Sequence, residues 1–146
     1  MSKTNAFETD LLGHIFTNAA IAGLGDASGL QPSAVAGNLY ISLHTADPGE
    51  AGTQATSEVA YASYARVAVA RDSYGWTLAG NQVQNASPIT FPTGTGGTGT
   101  ATHLGIGTSA SGAGKLIYIG ALAPSIVCGN GVTPIVPAAT LTITED

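Results

Sequence analysis

The chain has 146 residues, of which 9% are charged, with a net charge of −5 and a mean hydropathy of +0.24. Its four strong cations, Lys3, Arg66, Arg71 and Lys115, are too few and too scattered to neutralise a run of phosphates, which excludes direct nucleic-acid binding. One cysteine excludes an internal disulfide, and no apolar run approaches the roughly 18–20 residues that span a bilayer.

The opening Met1–Asp10 carries acids and no apolar core, so it predicts no secretory signal, and the chain reads as made in the cytoplasm. Asn5 followed by Glu8 has capping-box spacing. Phe7, Leu11, Leu12, Ile15, Phe16, Ala19 and Ala20 then recur at helical period, predicting a helix over 5–22 stopped by Gly23. A loop from Leu24 to Gly37 separates the helix from the remainder of the chain. The helix is therefore expected as an appendage to a β body, free to reach a neighbouring chain.

From Asn38 the period becomes two. Leu39–His44 predicts a strand with Leu39, Ile41 and Leu43 on one face, and Asp47-Pro48-Gly49-Glu50 predicts a turn. Tyr64–Arg71 predicts the next strand. Arg66 and Arg71 are five residues apart, which on a regular strand places them on opposite faces. Arg66 is expected inward, stacked on Tyr61, Tyr64 or Trp76 and paired with one of Asp47, Glu50, Glu58 or Asp72; Arg71 is expected outward.

Turns at Tyr74-Gly75 and Gly80-Asn81 separate short segments at Trp76–Leu78 and Val83. Pro88–Pro92 predicts an edge strand. Thr93–Thr100 holds only Thr and Gly and predicts a flexible tip. Further strands are predicted at Ala101–Ile106, Lys115–Leu122, Ser125–Cys128, Val132–Val136 and Thr140–Thr144, with Asn130-Gly131 as a hairpin signal. The fold expected is mainly β: one domain, 1–146, a jelly-roll-like β-sandwich of about eight short strands plus the helix. Cys128 is expected as a small buried hydrophobe.

Catalytic signatures are weak throughout. Gly105-Ile-Gly-Thr-Ser-Ala110 has the letters of a dinucleotide fingerprint but leads into a strand rather than a helix. Gly112-Ala-Gly-Lys115-Leu116 lacks both the upstream glycine spacing and the hydroxyl of a phosphate loop. His14, His44 and His103 lie in different elements; His44 with Asp47 could form the orienting half of a triad, but Asp47 is better read as capping its own turn. Glu50 and Glu58 flank a loop, and Glu145 and Asp146 form a tail. Trp76 is expected in the core. No catalytic, cofactor-binding or metal-ligating residue is assigned, and no enzyme activity or cofactor is expected.

One set of segments carries a resemblance. Leu39–Gln54, Tyr64–Val69, Gly75-Trp76, His103–Leu116 and Leu141–Asp146 together resemble a family of small virion proteins of tailed bacteriophages, often labelled tail fibre proteins. The resemblance implies a structural role in the virion and brings no site residue with it. From size and low charge, the place expected is the head, as a decoration or cement protein. Its partners would be the major capsid protein or other virion structural proteins, and copies of itself. The alternative is a tail, tail-fibre or baseplate component; a third reading is a carbohydrate-binding module for the host envelope.

Overall fold

The structure is a computed structural model that describes residues 1–146. The elements are α1 (Asn5–Thr17), β1 (Asn38–His44), β2 (Val67–Ala70), β3 (Trp76–Ala79), β4 (Gln82–Asn85), β5 (Ile89–Thr90), β6 (Thr98–Gly107), β7 (Leu116–Gly129), β8 (Ile135–Val136) and β9 (Thr142–Thr144). The fold is thus mainly β with one N-terminal helix, as the alternation of apolar residues predicts, and is consistent with a β-sandwich. The strands form a four-stranded sheet β2-β1-β6-β7, a three-stranded sheet β3-β4-β9 and a ribbon of β5 with β8. Packing groups the chain into two compact units.

The first unit comprises Met1–Asn38, Ala70–Ile89 and Val136–Asp146. Here α1 lies on β3 and β4, with Leu12 and Phe16 fully buried. Phe16 meets Trp76 edge-on, ring centroids 4.6 Å apart at 65°, a favourable aromatic geometry. The helix is therefore part of this unit's core, not an appendage. Thr4 caps it rather than Asn5, and it ends at Thr17, five residues earlier than its apolar spacing predicts. The stop is Asn18, which takes the left-handed conformation (φ 53°). Asn18 is held there by two hydrogen bonds to Ser33: its Nδ2 donates to the carbonyl and its Oδ1 accepts from the amide, both at 2.9 Å. Asn can adopt this geometry at modest cost, so the helix never reaches Gly23.

Asn85, also buried, ties the C-terminal segment to β4. Its Nδ2 donates to the carbonyls of Ser87 (2.8 Å) and Pro137 (2.9 Å), and its Oδ1 accepts from Leu141 N (3.0 Å). The acidic end is not a free tail: Glu145 pairs with Lys3 at 3.1 Å.

The second unit comprises Leu39–Val69 and Thr90–Ile135. Its spine is β1 against β6, antiparallel, with Ile41 opposite Ile106 and Leu43 opposite Leu104. Leu39, Ile41, Leu43, Phe91, Leu104 and Ile106 are buried, and Cys128 is a buried free thiol whose pKa burial pushes up. Two predicted strands, Lys115–Leu122 and Ser125–Cys128, are one long strand, β7. Consequently Asn130-Gly131 makes a turn, with Val132 N donating to Gly129 O at 3.0 Å, but does not join paired strands.

The Thr/Gly tract is pinned rather than flexible. Gly94 N donates to Val132 O (2.9 Å), Gly131 N to Gly94 O (2.8 Å) and Asn130 N to Gly97 O (3.2 Å). The backbones approach so closely that a Cβ on Gly94 would sit 2.0 Å from the Gly129 carbonyl oxygen. Gly94 serves contact here, while Gly97 takes a positive φ of 78° that a glycine adopts freely.

Phe16→Ala should lower the unfolding free energy by about 3–5 kcal/mol, the usual cost of emptying a buried aromatic site. Urea denaturation followed by Trp76 fluorescence measures it. An effect below about 1 kcal/mol would restore the helix to the role of an appendage.

Candidate functional site

Alternation along β1 predicts one buried face, yet Ser42 and His44, on the opposite face from Ile41 and Leu43, are also fully buried. The segment running to Glu58 covers His44, which bonds Thr56 and bridges to Glu58, and the Leu116 side chain shares the space over Gly105 with Ser42 and His44. Two glycines of β6 make this possible. A Cβ on Gly105 would lie 2.7 Å from both His44 Nε2 and Ser42 Oγ, and one on Gly107 would lie 2.1 Å from Gln54 Cδ. The letters that mimic a dinucleotide fingerprint are thus space for a polar layer behind the sheet.

Each member of the layer has defined partners. His44 Nδ1 contacts Thr56 O at 2.8 Å, a carbonyl that can only accept, so Nδ1 carries the proton and Nε2 accepts from Ser42 Oγ at 2.8 Å. Gln54 donates from Nε2 to Tyr40 O (3.2 Å) and accepts at Oε1 from Ser109 N (2.9 Å). Arg66 has a side chain only 2% exposed. It donates to Glu58 from Nε (2.7 Å) and Nη2 (2.8 Å), and to the carbonyls of Ser109 (2.9 Å) and Gly112 (2.7 Å). Tyr64 Oη donates to Glu58 Oε1 at 2.8 Å and accepts from Leu43 N at 3.1 Å.

The electrostatics reflect burial and pairing. Hydrogen bonds to Glu58 hold the Arg66 guanidinium charge more firmly than usual. Burial pushes the Tyr64 phenol well above its ordinary value. Burial also lowers the His44 pKa, outweighing the hydrogen bond to Thr56 that raises it, so the ring is kept neutral.

Arg66 is inward, as expected, and Glu58 is its partner among the four acids considered. No stacking on Trp76 occurs: Trp76 packs with Phe16 in the first unit. Arg71, expected outward, is half-buried in the first unit. It donates from Nε to Ile15 O (2.7 Å), from Nη2 to His14 O (2.6 Å) and from Nη1 to Ala36 O (3.0 Å). Carbonyls near a helix C-terminus are natural partners for a cation, and Arg71 binds α1 there to the loop beyond it.

His44 and Asp47 do not pair, because Asp47 Oδ1 accepts from Gly49 N at 2.8 Å within its own turn. Asp72 likewise caps a turn, accepting from the amides of Tyr74 and Gly75. His14 Nδ1 contacts Ala19 O at 2.7 Å, and His103 Nδ1 contacts Thr102 Oγ1 at 3.0 Å. No group of three or more His, Cys, Asp or Glu is placed to hold a metal ion. Ser42, His44 and the Thr56 carbonyl have the order of a nucleophile, base and orienting group, but both side chains are sealed, with no face open to a substrate. The cluster can stiffen the sheet and anchor two loops; its arrangement offers nothing to a reacting molecule.

Two kinds of outcome, one from substitution and one from pH, test these contacts. Arg66→Ala should cost about 3–5 kcal/mol by leaving the Glu58 carboxylate without its buried partner. Arg71→Ala should cost about 1.5–3 kcal/mol for its charged hydrogen bonds; a neutral Arg71→Ala in chemical denaturation would contradict the clamp.

The second outcome concerns pH. The folded His44 pKa lies below the ordinary histidine value of 6.5, so the neutral ring's stabilisation is complete above pH 6.5. It declines as pH falls from 6.5 towards the lowered folded value, because the unfolded chain then binds the proton that the folded ring resists. The urea midpoint should drop from about pH 7.5 to about pH 5.5, and His44→Gln should flatten that drop. Equal slopes for both proteins would contradict the assignment.

Comparison with known proteins places these features in a lineage. No curated protein matches the chain in sequence. The model of the family described as podophage GP4 fiber I protein gp80 matches residues 2–144, which takes in the helix, the pinned Thr/Gly tract and the polar layer behind β1. The chain belongs to this podophage fibre protein family.

Proposed function

We propose that the chain is a non-enzymatic building block of a podophage fibre, carried in the virion and held there by contacts with other virion structural proteins. The observation that carries this is the family match over residues 2–144. It favours the tail-fibre alternative over the head decoration that size and charge suggest, since a small, weakly charged domain suits either place and nothing in the structure points to the capsid lattice.

The physical character of the chain supports the reading. Its chemistry-bearing side chains are consumed in internal contacts: Ser42, His44 and Gln54 are fully buried, and Glu58, Arg66 and Arg71 hold one another or backbone carbonyls. Loops that composition marks as mobile, such as the Thr/Gly tract, are stapled to neighbouring backbone. What remains outside is largely Thr, Ser, Gly and Ala with scattered large apolar side chains such as Val35, Tyr74 and Val127 and few charges, a surface suited to close neighbours rather than to charge-guided encounter.

Fractionation of particles into heads, tails and fibres, with the chain followed by mass spectrometry, tests the proposal. It should travel with the fibre fraction and be depleted from heads. Recovery in proportion to the major capsid protein, on heads that lack fibres, would return the decoration reading.

A further inference from the structure

Of the six asparagines in the chain, only Asn130 is followed by glycine. Asparagine is a chemically labile residue, and a following glycine makes it most so, because no side chain shields the next backbone nitrogen. The reaction is internal. The Gly131 nitrogen attacks the side-chain carbonyl carbon of Asn130, its proton leaves with the side-chain amide as ammonia, and a cyclic imide closes. Water then opens the imide at one carbonyl or the other, leaving aspartate or isoaspartate. Solvent is the sole co-reactant.

The electrophile of this pair is open and the nucleophile is not. Asn130 is exposed to water. Gly131 N donates to Gly94 O at 2.8 Å, and beside it Asn130 N donates to Gly97 O at 3.2 Å and Gly94 N to Val132 O at 2.9 Å. The Thr93 and Thr133 hydroxyls meet at 2.6 Å next to this ladder. An amide nitrogen held in such a bond can neither shed its proton nor swing towards the neighbouring side chain until the bond breaks. Sliding past the obstacle is blocked as well, since Gly94 has no room for even a Cβ against the Gly129 carbonyl.

We propose that Asn130-Gly131 is a modification site gated by the fold: the pinned Thr/Gly tract keeps it an asparagine, and each opening of the tract exposes it to conversion into isoaspartate. The gate closes for good once the reaction has run. Isoaspartate routes the backbone through the former side chain and adds a methylene between the nitrogens of residues 130 and 131. The two amides that bond Gly97 O and Gly94 O then no longer match the spacing of those carbonyls, and a new carboxylate joins a chain already at net charge −5. A local, reversible opening thereby becomes a permanent loosening of the segment after β7. This inference goes beyond the fibre reading and does not rest on it.

The chain supplies its own reporter. Trypsin cutting after Lys115 releases Leu116–Asp146, in which Asn130 is the single side-chain amide, so any deamidation of that peptide belongs to the site. Purified full chain is held in mildly alkaline buffer, with and without unfolding urea, then digested and followed by mass spectrometry and by separation of the isoaspartyl peptide. Because reaction requires opening, the rate follows the population of the opened tract, and the unfolded chain should react at least about tenfold faster than the folded one. Gly94→Ala, which forces the backbones apart, should speed the reaction in buffer and raise hydrogen exchange at the Gly131 amide in parallel. Thr133→Val, which removes the hydroxyl pair with Thr93, serves if Gly94→Ala alters the circular dichroism. Equal rates in buffer and urea overturn the proposal, as does a folded variant whose Gly131 amide exchanges faster while deamidation does not.

Discussion

The second unit depends on keeping one guanidinium charge out of water. Arg66 exchanges hydration for a two-point contact with Glu58 and for two backbone carbonyls, so its charge is balanced and its donors are used. Because those carbonyls belong to Ser109 and Gly112, the loop between β6 and β7 has a fixed position. Because Tyr64 shares Glu58, the phenol is aimed at the backbone of β1. Removing the cation would leave a carboxylate, a phenol and two carbonyls to find new partners in a place that water reaches poorly.

This polar layer explains the glycine content of β6 better than turn-making does. A strand in the middle of a sheet usually has side chains on both faces, but His44 and Gln54 occupy the volume where side chains at 105 and 107 would stand. Glycine within a strand is unfavourable by itself. Here its cost is offset by a buried imidazole and amide whose hydrogen bonds are all made inside the unit.

Strand positions were legible wherever apolar residues alternate, as in Leu39–Leu43, and Arg66 was legible as the inward cation. The misreadings share a cause: the deciding partner lies far off in sequence. Asn18 stops α1 because Ser33 holds it, while Gly23 carries the stronger local signal. Alternation would turn Arg71 outward only on a strand running from 64 to 71, but β2 covers only Val67–Ala70, so neither arginine is bound by it. Thr93–Thr100 looks loose by composition, and only the approach of Gly129–Val132 reveals the contact. Gln54 gave no signal at all, since an isolated glutamine before a small-residue stretch reads as surface.

The economy of cations has an outcome for survival outside the cell. Trypsin-like proteases cut after Lys or Arg, and this chain has four such residues. Two of them, Arg66 and Arg71, have their guanidinium groups committed to acceptors inside the fold, where a protease specificity pocket cannot take them without local unfolding. Lys3 is half-buried and engaged by the C-terminal segment, paired with Glu145 and donating to the Asp146 carbonyl. That leaves Lys115, at the mouth of β7, as the one exposed cation of the four, and the bond after it as the one most open to such an enzyme in the folded chain.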